Sequence, residues 1–222
     1  MLGLTPDQIR NGLLLYLLLM ACLCLRAYGQ AWLANRLGDP TPEATGRLTA
    51  NPLPHLDLIG SVILPLICIF YLMPRMTSFS LFLAWTKPVP INPSNFARPA
   101  RHHLYTQMMN PLVSVLGALA AAVVGALAYR AMPSAMDDVF VPMIAINASL
   151  IVLDFLPIPP LPGGMLLREF GLISEQTFWN VSRWGGILLL IAFNVPQFQM
   201  VFRYMIVTVA APFLYLIGLI VR

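Results

Sequence analysis

No charged residue occurs between Leu112 and Tyr129, and the same apolar character returns in five other stretches of the chain. A helix needs ~20 mostly apolar residues to cross the hydrocarbon core of a bilayer. The six stretches run from Asn11 to about Leu33, from about Leu58 to Met73, from Leu112 to Tyr129, from Val139 to about Leu156, from Trp184 to Asn194 and from Val201 to Val221. Arg26 and Gln30 interrupt the first, and the fifth is short. Of the 222 residues 59% are hydrophobic and only 10% charged, whereas a soluble chain carries about 25% charge. So few charges cannot cover a core of this size in water. An ordinary cytosolic enzyme, a nucleic-acid-binding domain and a disordered protein are thereby excluded. The expected fold is an all-α integral membrane protein with about six transmembrane segments, a single membrane domain over residues 1–222.

The net charge of +4 comes from 13 Lys and Arg against 9 Asp and Glu, scattered rather than gathered into a basic arm. Membrane-flanking charge is the simplest reading. Six full crossings would put Arg10, Arg75, Lys87, Arg98, Arg101, Arg168, Arg183 and Arg222 on one side of the bilayer. Arg36, Arg47, Arg130 and Arg203 would lie on the other, with both termini in the cytoplasm. Arg10 before an apolar stretch imitates an export signal, but the helix continues past Cys22 into a patterned region, so a retained first helix is expected. Cys22, Cys24 and Cys68 all fall in apolar runs and read as buried free thiols.

The third stretch is rich in small residues, among them Gly117, Ala118, Ala121, Ala122, Gly125 and Ala126. Small side chains let helix backbones approach closely in lipid, so this helix is expected inside the bundle. The linkers 36–57, 85–99 and 157–164 hold 12 of the 20 prolines. Proline breaks helices, and the run from Lys87 to Pro93 reads as extended. Such backbone at membrane depth persists only against protein or a water cavity. Glu169, Glu175 and the pair Asp137 and Asp138 read as linker carboxylates, the pair suiting a helix start.

The linkers also carry an ordered set of motifs: Gly38-Asp39-Pro40-Thr41, Gly46-Arg47-Leu48-Thr49, Asn51-Pro52-Leu53 with His55, Asp57 and Ile59-Gly60, Trp85 with Lys87-Pro88-Val89-Pro90 and Asn92-Pro93, and Leu156-Pro157-Ile158-Pro159-Pro160-Leu161. In this order the chain resembles the site-2 protease family of intramembrane zinc metalloproteases, in the short bacterial branch without a PDZ domain. The resemblance spans residues 26–164 and implies a site-2-protease-like core at 11–164, followed by C-terminal helices at 165–222. It also implies a place in the inner membrane of a bacterium. The family holds zinc with two His from an HExxH helix and an Asp from a later LDG turn, while the Glu handles protons for the bound water.

At those positions this chain departs from the family. The HExxH slot reads Arg26-Ala27-Tyr28-Gly29-Gln30 and the LDG slot reads Leu161-Pro162-Gly163. Arg26, Ala27, Gln30 and Pro162 therefore stand where the ligands and the proton carrier would be. A guanidinium stays protonated and repels a cation; Ala transfers no proton, and Pro offers no donor atom. His55, His102 and His103 fall in linkers, and none has a carboxylate at ligand spacing. No catalytic residue, metal ligand or cofactor is expected. An Arg within an apolar helix costs about 2.5–3.5 kcal/mol at the bilayer centre and needs a partner. Asp154 is the candidate, with Gln30 able to join, so a buried polar cluster of Arg26, Gln30 and Asp154 is expected where zinc would have been.

The leading functional expectation is a non-catalytic relative that binds or scaffolds one or more partner membrane proteins within the lipid bilayer, with no nucleic-acid partner. An active intramembrane protease with an unorthodox site, and a transporter or channel subunit using Arg26, Gln30, Asn147 and Asp154, are the alternatives.

Overall fold

The computed structural model describes residues 5–72 and 84–221. Most of the described residues are helical, with no strand among them. The first helix, α1 (Pro6–Arg36), opens on a reciprocal cap. The Thr5 hydroxyl accepts from the Gln8 amide N–H at 3.3 Å, and the Gln8 side chain accepts from the Thr5 N–H at 2.9 Å. Pro6 at the first helical position needs no donor there. Asp7 in the first turn and Arg36 in the last match the helix dipole.

Then come α2 (Pro99–Ala128), α3 (Val141–Asp154), α4 (Pro162–Glu169), α5 (Glu175–Ser182), α6 (Gly185–Phe193) and α7 (Pro196–Val221). α2 packs against α1, α3 and α7, which makes it the centre of the bundle. Its face of Ala118, Ala121, Ala122, Gly125 and Ala126 is buried. Gly125 shows why small residues matter there: a Cβ would lie 2.7 Å from the Phe140 ring. α2 starts at Pro99, thirteen residues before the apolar stretch. His102 and His103 therefore lie on its first turns and not in a linker. Glu175 likewise opens α5, where it accepts from the Trp179 indole N–H at 2.7 Å and meets Arg168 at 3.3 Å.

Four helices among the described residues are long and apolar enough to span a membrane: Pro6–Arg36, Pro99–Ala128, Pro133–Asp154 and Pro196–Val221. About six crossings are expected, and four helices of that length are found among the described residues. The fifth stretch forms only α6, and nine residues at 1.5 Å each rise about 13 Å, under half the ~30 Å core. The second stretch forms a continuous but uneven helix, wide-turned at Leu58–Ile63 and Cys68–Leu72, with ordinary α geometry at Leu64–Ile67. Its apolar part among the described residues, Leu58–Phe70, is shorter than a span.

This second stretch also changes the topology. It leaves from Leu58 and brings Ile69 and Phe70 against Gly12, near the start of α1. By Trp85 the chain is back beside its departure point. The Trp85 N–H donates to the Gly60 carbonyl at 3.1 Å, and the Ser61 hydroxyl donates to the Trp85 carbonyl at 2.7 Å. Gly60 has no room for a side chain, because a Cβ would run into the Trp85 indole. Further on, the Lys87 N–H donates to His55 O at 2.9 Å, and Arg47 donates to Lys87 O at 2.6 Å. Arg47 and Lys87 therefore share one face, and the charge partition expected from six crossings is overturned. Gly60 and Trp85, on either side of this part of the chain, thus lie together. Met73, Arg75 and Arg222, which entered that expectation, lie outside the described residues.

The linkers on this face are tied together by Asp39. Its carboxylate is fully buried and accepts four hydrogen bonds: from the Thr41 hydroxyl at 2.6 Å, the Thr41 N–H at 3.1 Å, the Asn92 N–H at 2.7 Å and the Asn95 amide at 2.7 Å. One side chain thus fixes the end of α1 to the segment that leads into α2. At the later turn, Gly163 lies against backbone, where a Cβ would sit 2.5 Å from Leu156 O. That contact holds the start of α4 under the end of α3.

Candidate functional site

Cys22, Arg26 and Gln30 recur every fourth residue of α1 and are all buried. Residues at that spacing share a helix face. Here the face is turned toward α2 and α3: Asn147 on α3 donates its amide to Cys22 Sγ at 3.4 Å, and Gly29 packs on Met109 and Val113 of α2. One turn along from Cys22, the Arg26 guanidinium reaches both neighbours. Its Nη1 donates to the Ser114 hydroxyl on α2 at 2.8 Å. Its Nη2 donates to both carboxylate oxygens of Asp154, the last residue of α3, at 2.7 and 2.8 Å. The two side chains are 10% and 5% exposed. Arg26 thus does not extend to a membrane surface; its charge is neutralised inside the bundle.

The expected cluster is assembled in part. Arg26 and Asp154 meet, and Gln30 is buried one turn further on. Among the described residues no hydrogen bond joins Gln30 to either of them. Ser114 takes that place, and sequence reasoning missed it. Its hydroxyl in the otherwise apolar stretch from Leu112 was the available signal, and nothing in its local pattern distinguishes it from other serines of the membrane helices. Ala27 packs in an apolar cluster with Ala31 and Val89, so the slot of the family's proton carrier faces the extended segment that returns from the second stretch. Pro162 opens α4 and is buried. His55 is 1% exposed, with Nε2 at 2.9 Å from the Thr49 carbonyl.

These residues do not fit a zinc ion at the family's site. Zinc is held by Cys, His or carboxylate donors, four-coordinate. The central group here is a cation already engaged by the one nearby carboxylate. Among the described residues no three His, Cys, Asp or Glu converge on a point. What the arrangement does is mechanical: one guanidinium fastens three helices together through charge-assisted hydrogen bonds, which are about twice as strong as neutral ones.

Comparison with known proteins gives a relative from Bacillus subtilis (strain 168) named "Putative zinc metalloprotease YwhC". The two are 24% identical over 192 residues, covering 82% of this chain and 80% of the relative. That alignment and the ordered motifs agree. The chain is site-2-protease-like. No family model matches it, and no solved structure does. As a site-2-protease-like chain with four membrane-length helices it is an integral membrane protein. Its motifs acquire structural roles in this setting. Asp39 of the GDPT motif organises the linkers, Arg47 of GRLT holds the Lys87 carbonyl, and His55 and Gly60 receive the returning segment.

Proposed function

We propose that this chain is a non-catalytic site-2-protease-like membrane protein, a pseudoprotease that binds or scaffolds a partner membrane protein. The observation that carries the reading is the Arg26–Asp154 contact, a permanent positive charge neutralised at the position where the family places a metal ligand. With Ala27 and Pro162 at the other two kinds of site position, this chain has no group to activate water. The partner surface is the extended segment 86–91 next to Ala27, where Lys87 and Pro88 are exposed beside the buried Val89. Extended backbone of this kind can accept another extended chain.

A single preparation in mild detergent tests this. The expected results are zinc well below one equivalent by mass spectrometry, no chelator-sensitive cleavage of helical substrates, and one discrete membrane protein crosslinked to a photoreactive side chain placed at Pro88 but not at the lipid-facing Tyr204. One zinc per chain together with chelator-sensitive cleavage would sink the proposal. So would identical crosslinking from both positions.

We further propose that the chain sits in a bacterial cytoplasmic membrane with the Asp39 face inward. On this reading Arg36, Arg47, Lys87, Arg98, Arg101, Arg168 and Arg183 lie on that face, and Arg10 and Arg130 on the other. The excess of cations marks the cytoplasmic side. In intact cells an impermeant maleimide is expected to label Arg130→Cys and to reach Arg101→Cys only after lysis; the opposite pattern would reverse the orientation.

A further inference from the structure

Gln30 is 7% exposed, yet among the described residues its side chain makes no hydrogen bond. Every other buried polar side chain of the described residues makes at least one. A buried amide without partners is costly, and a group that pairs with it recovers the loss. Among the described residues the side-chain atoms both sealed and partnerless are Arg47 Nε, His55 Nδ1 and His102 Nδ1. Neither amide atom of Gln30 is one of them, so the amide is unpartnered and still open to an incoming molecule.

Its place on α1 sets what it faces. Arg26, four residues earlier, turns to Ser114 and Asp154. Ala27 and Ala31 pack on Val89 of the extended segment. At about 100° per residue, Gln30 lies about 40° round the helix from Arg26 and about 60° from Ala27, between the two. Helical side chains lean toward the N-terminus, so the amide covers the turn of Arg26 and Ala27, in the seam between the ion pair and Val89. The extended segment has unmet groups of its own. Lys87 N–H and O and Asn92 N–H are taken. Val89 is buried, but its N–H and C=O bond to nothing among the described residues.

The seam therefore offers neutral donors and acceptors, while the charge of Arg26 is already engaged. A primary amide has N–H donors and a carbonyl acceptor, the complement of a peptide group. We propose that Gln30 is a partner-recognition residue whose amide pairs with a peptide group of an extended segment of the partner membrane protein. This rests on the reading of residues 86–91 as the partner surface and adds that the partner's backbone is what is read there. Gln30 Nε2 donates to a partner C=O, and Oε1 accepts from a partner N–H.

The test uses two fluorescein-labelled peptides of sequence Thr-Val-Thr-Val-Thr, whose β-branched residues favour an extended chain. One is unmodified and its twin is methylated at every peptide nitrogen. Each is titrated against the full chain in mild detergent and followed by fluorescence anisotropy. The wild type is expected to bind the unmodified peptide, and Gln30→Leu to bind it about 10-fold more weakly. The twin should bind the wild type more weakly, and the effect of Gln30→Leu should shrink with it, because the bond to Oε1 is already lost. Thermal unfolding of Gln30→Leu is expected at or above that of the wild type, since leucine replaces an unpartnered amide. Unmodified-peptide binding that ignores Gln30→Leu overturns this inference alone and leaves the partner surface standing. A wild type that binds neither peptide overturns both. Unfolding of Gln30→Leu far below the wild type makes the amide a structural group and also overturns the inference, as does equal wild-type affinity for the two peptides.

Discussion

Asp154→Asn is expected to lower the stability of the detergent-solubilised protein by about 3–5 kcal/mol, the usual cost of breaking a buried ion pair from one side. The amide retains an acceptor for Arg26 but leaves the guanidinium's charge uncompensated among three helices. Arg26→Met in the wild-type background is expected to do similar damage from the opposite side, stranding a carboxylate that is 5% exposed. The double variant Arg26→Met/Asp154→Leu removes both charges, and apolar replacement of a whole buried pair is often neutral or stabilising. Thermal unfolding followed by circular dichroism should therefore place the double variant close to wild type and both single variants far below it. Additive losses would show that the two side chains act independently. Ser114→Ala supplies a graded control, removing one hydrogen bond to a charged group, worth about 1.5–3 kcal/mol.

The second large effect falls outside the membrane-spanning helices, at Asp39. Burial opposes its charge, but four donors outweigh that effect and hold the carboxyl below the usual range. The causes are the Thr41 hydroxyl, the Asn95 amide and the N–H groups of Asn92 and Thr41. Asp39→Ala is expected to cost at least about 3 kcal/mol, since several donors lose a charged acceptor together. Asp39→Asn is no remedy, because its own amide N–H₂ would face donors. A folded pKa below the unfolded one contributes stability above the unfolded pKa, near 3.9, and loses it as pH falls through the lower folded value. Stability is therefore expected to decline below about pH 4. Part of that decline should vanish in Asp39→Ala when the two are compared by thermal unfolding across pH. An unchanged acid profile would mean that other carboxylates govern it.

The apolar stretches made the membrane class legible, but the helix ends were not read from them: the first stretch begins at Asn11, whereas α1 begins at Pro6. Thr5, Gln8 and Pro6 mark the start of α1 within four residues of sequence. Pro99 marks the start of α2, although that helix was read from its apolar part alone. The fifth stretch misled, because hydropathy reports apolar surface and not length of helix. Only the contacts of Gly60 with Trp85, and of Arg47 with Lys87, show that the chain returns to the face it left. The resemblance to the site-2 protease family came from linker motifs whose purpose the sequence did not disclose. Asp39 finds its donors 53 and 56 residues away.

By itself the amino-acid sequence determined that this chain lives among lipid and that its linkers carry the ordered motifs that resemble the site-2 protease family. Those facts follow from side-chain chemistry and local spacing. Tertiary structure alone decided that Arg26 meets Asp154 128 residues away and takes Ser114 rather than Gln30 as its further partner. It also decided which face each linker occupies. A hydrogen bond forms over about 3 Å, and which groups come that close depends on how the packed helices are turned about their axes, which no local pattern encodes.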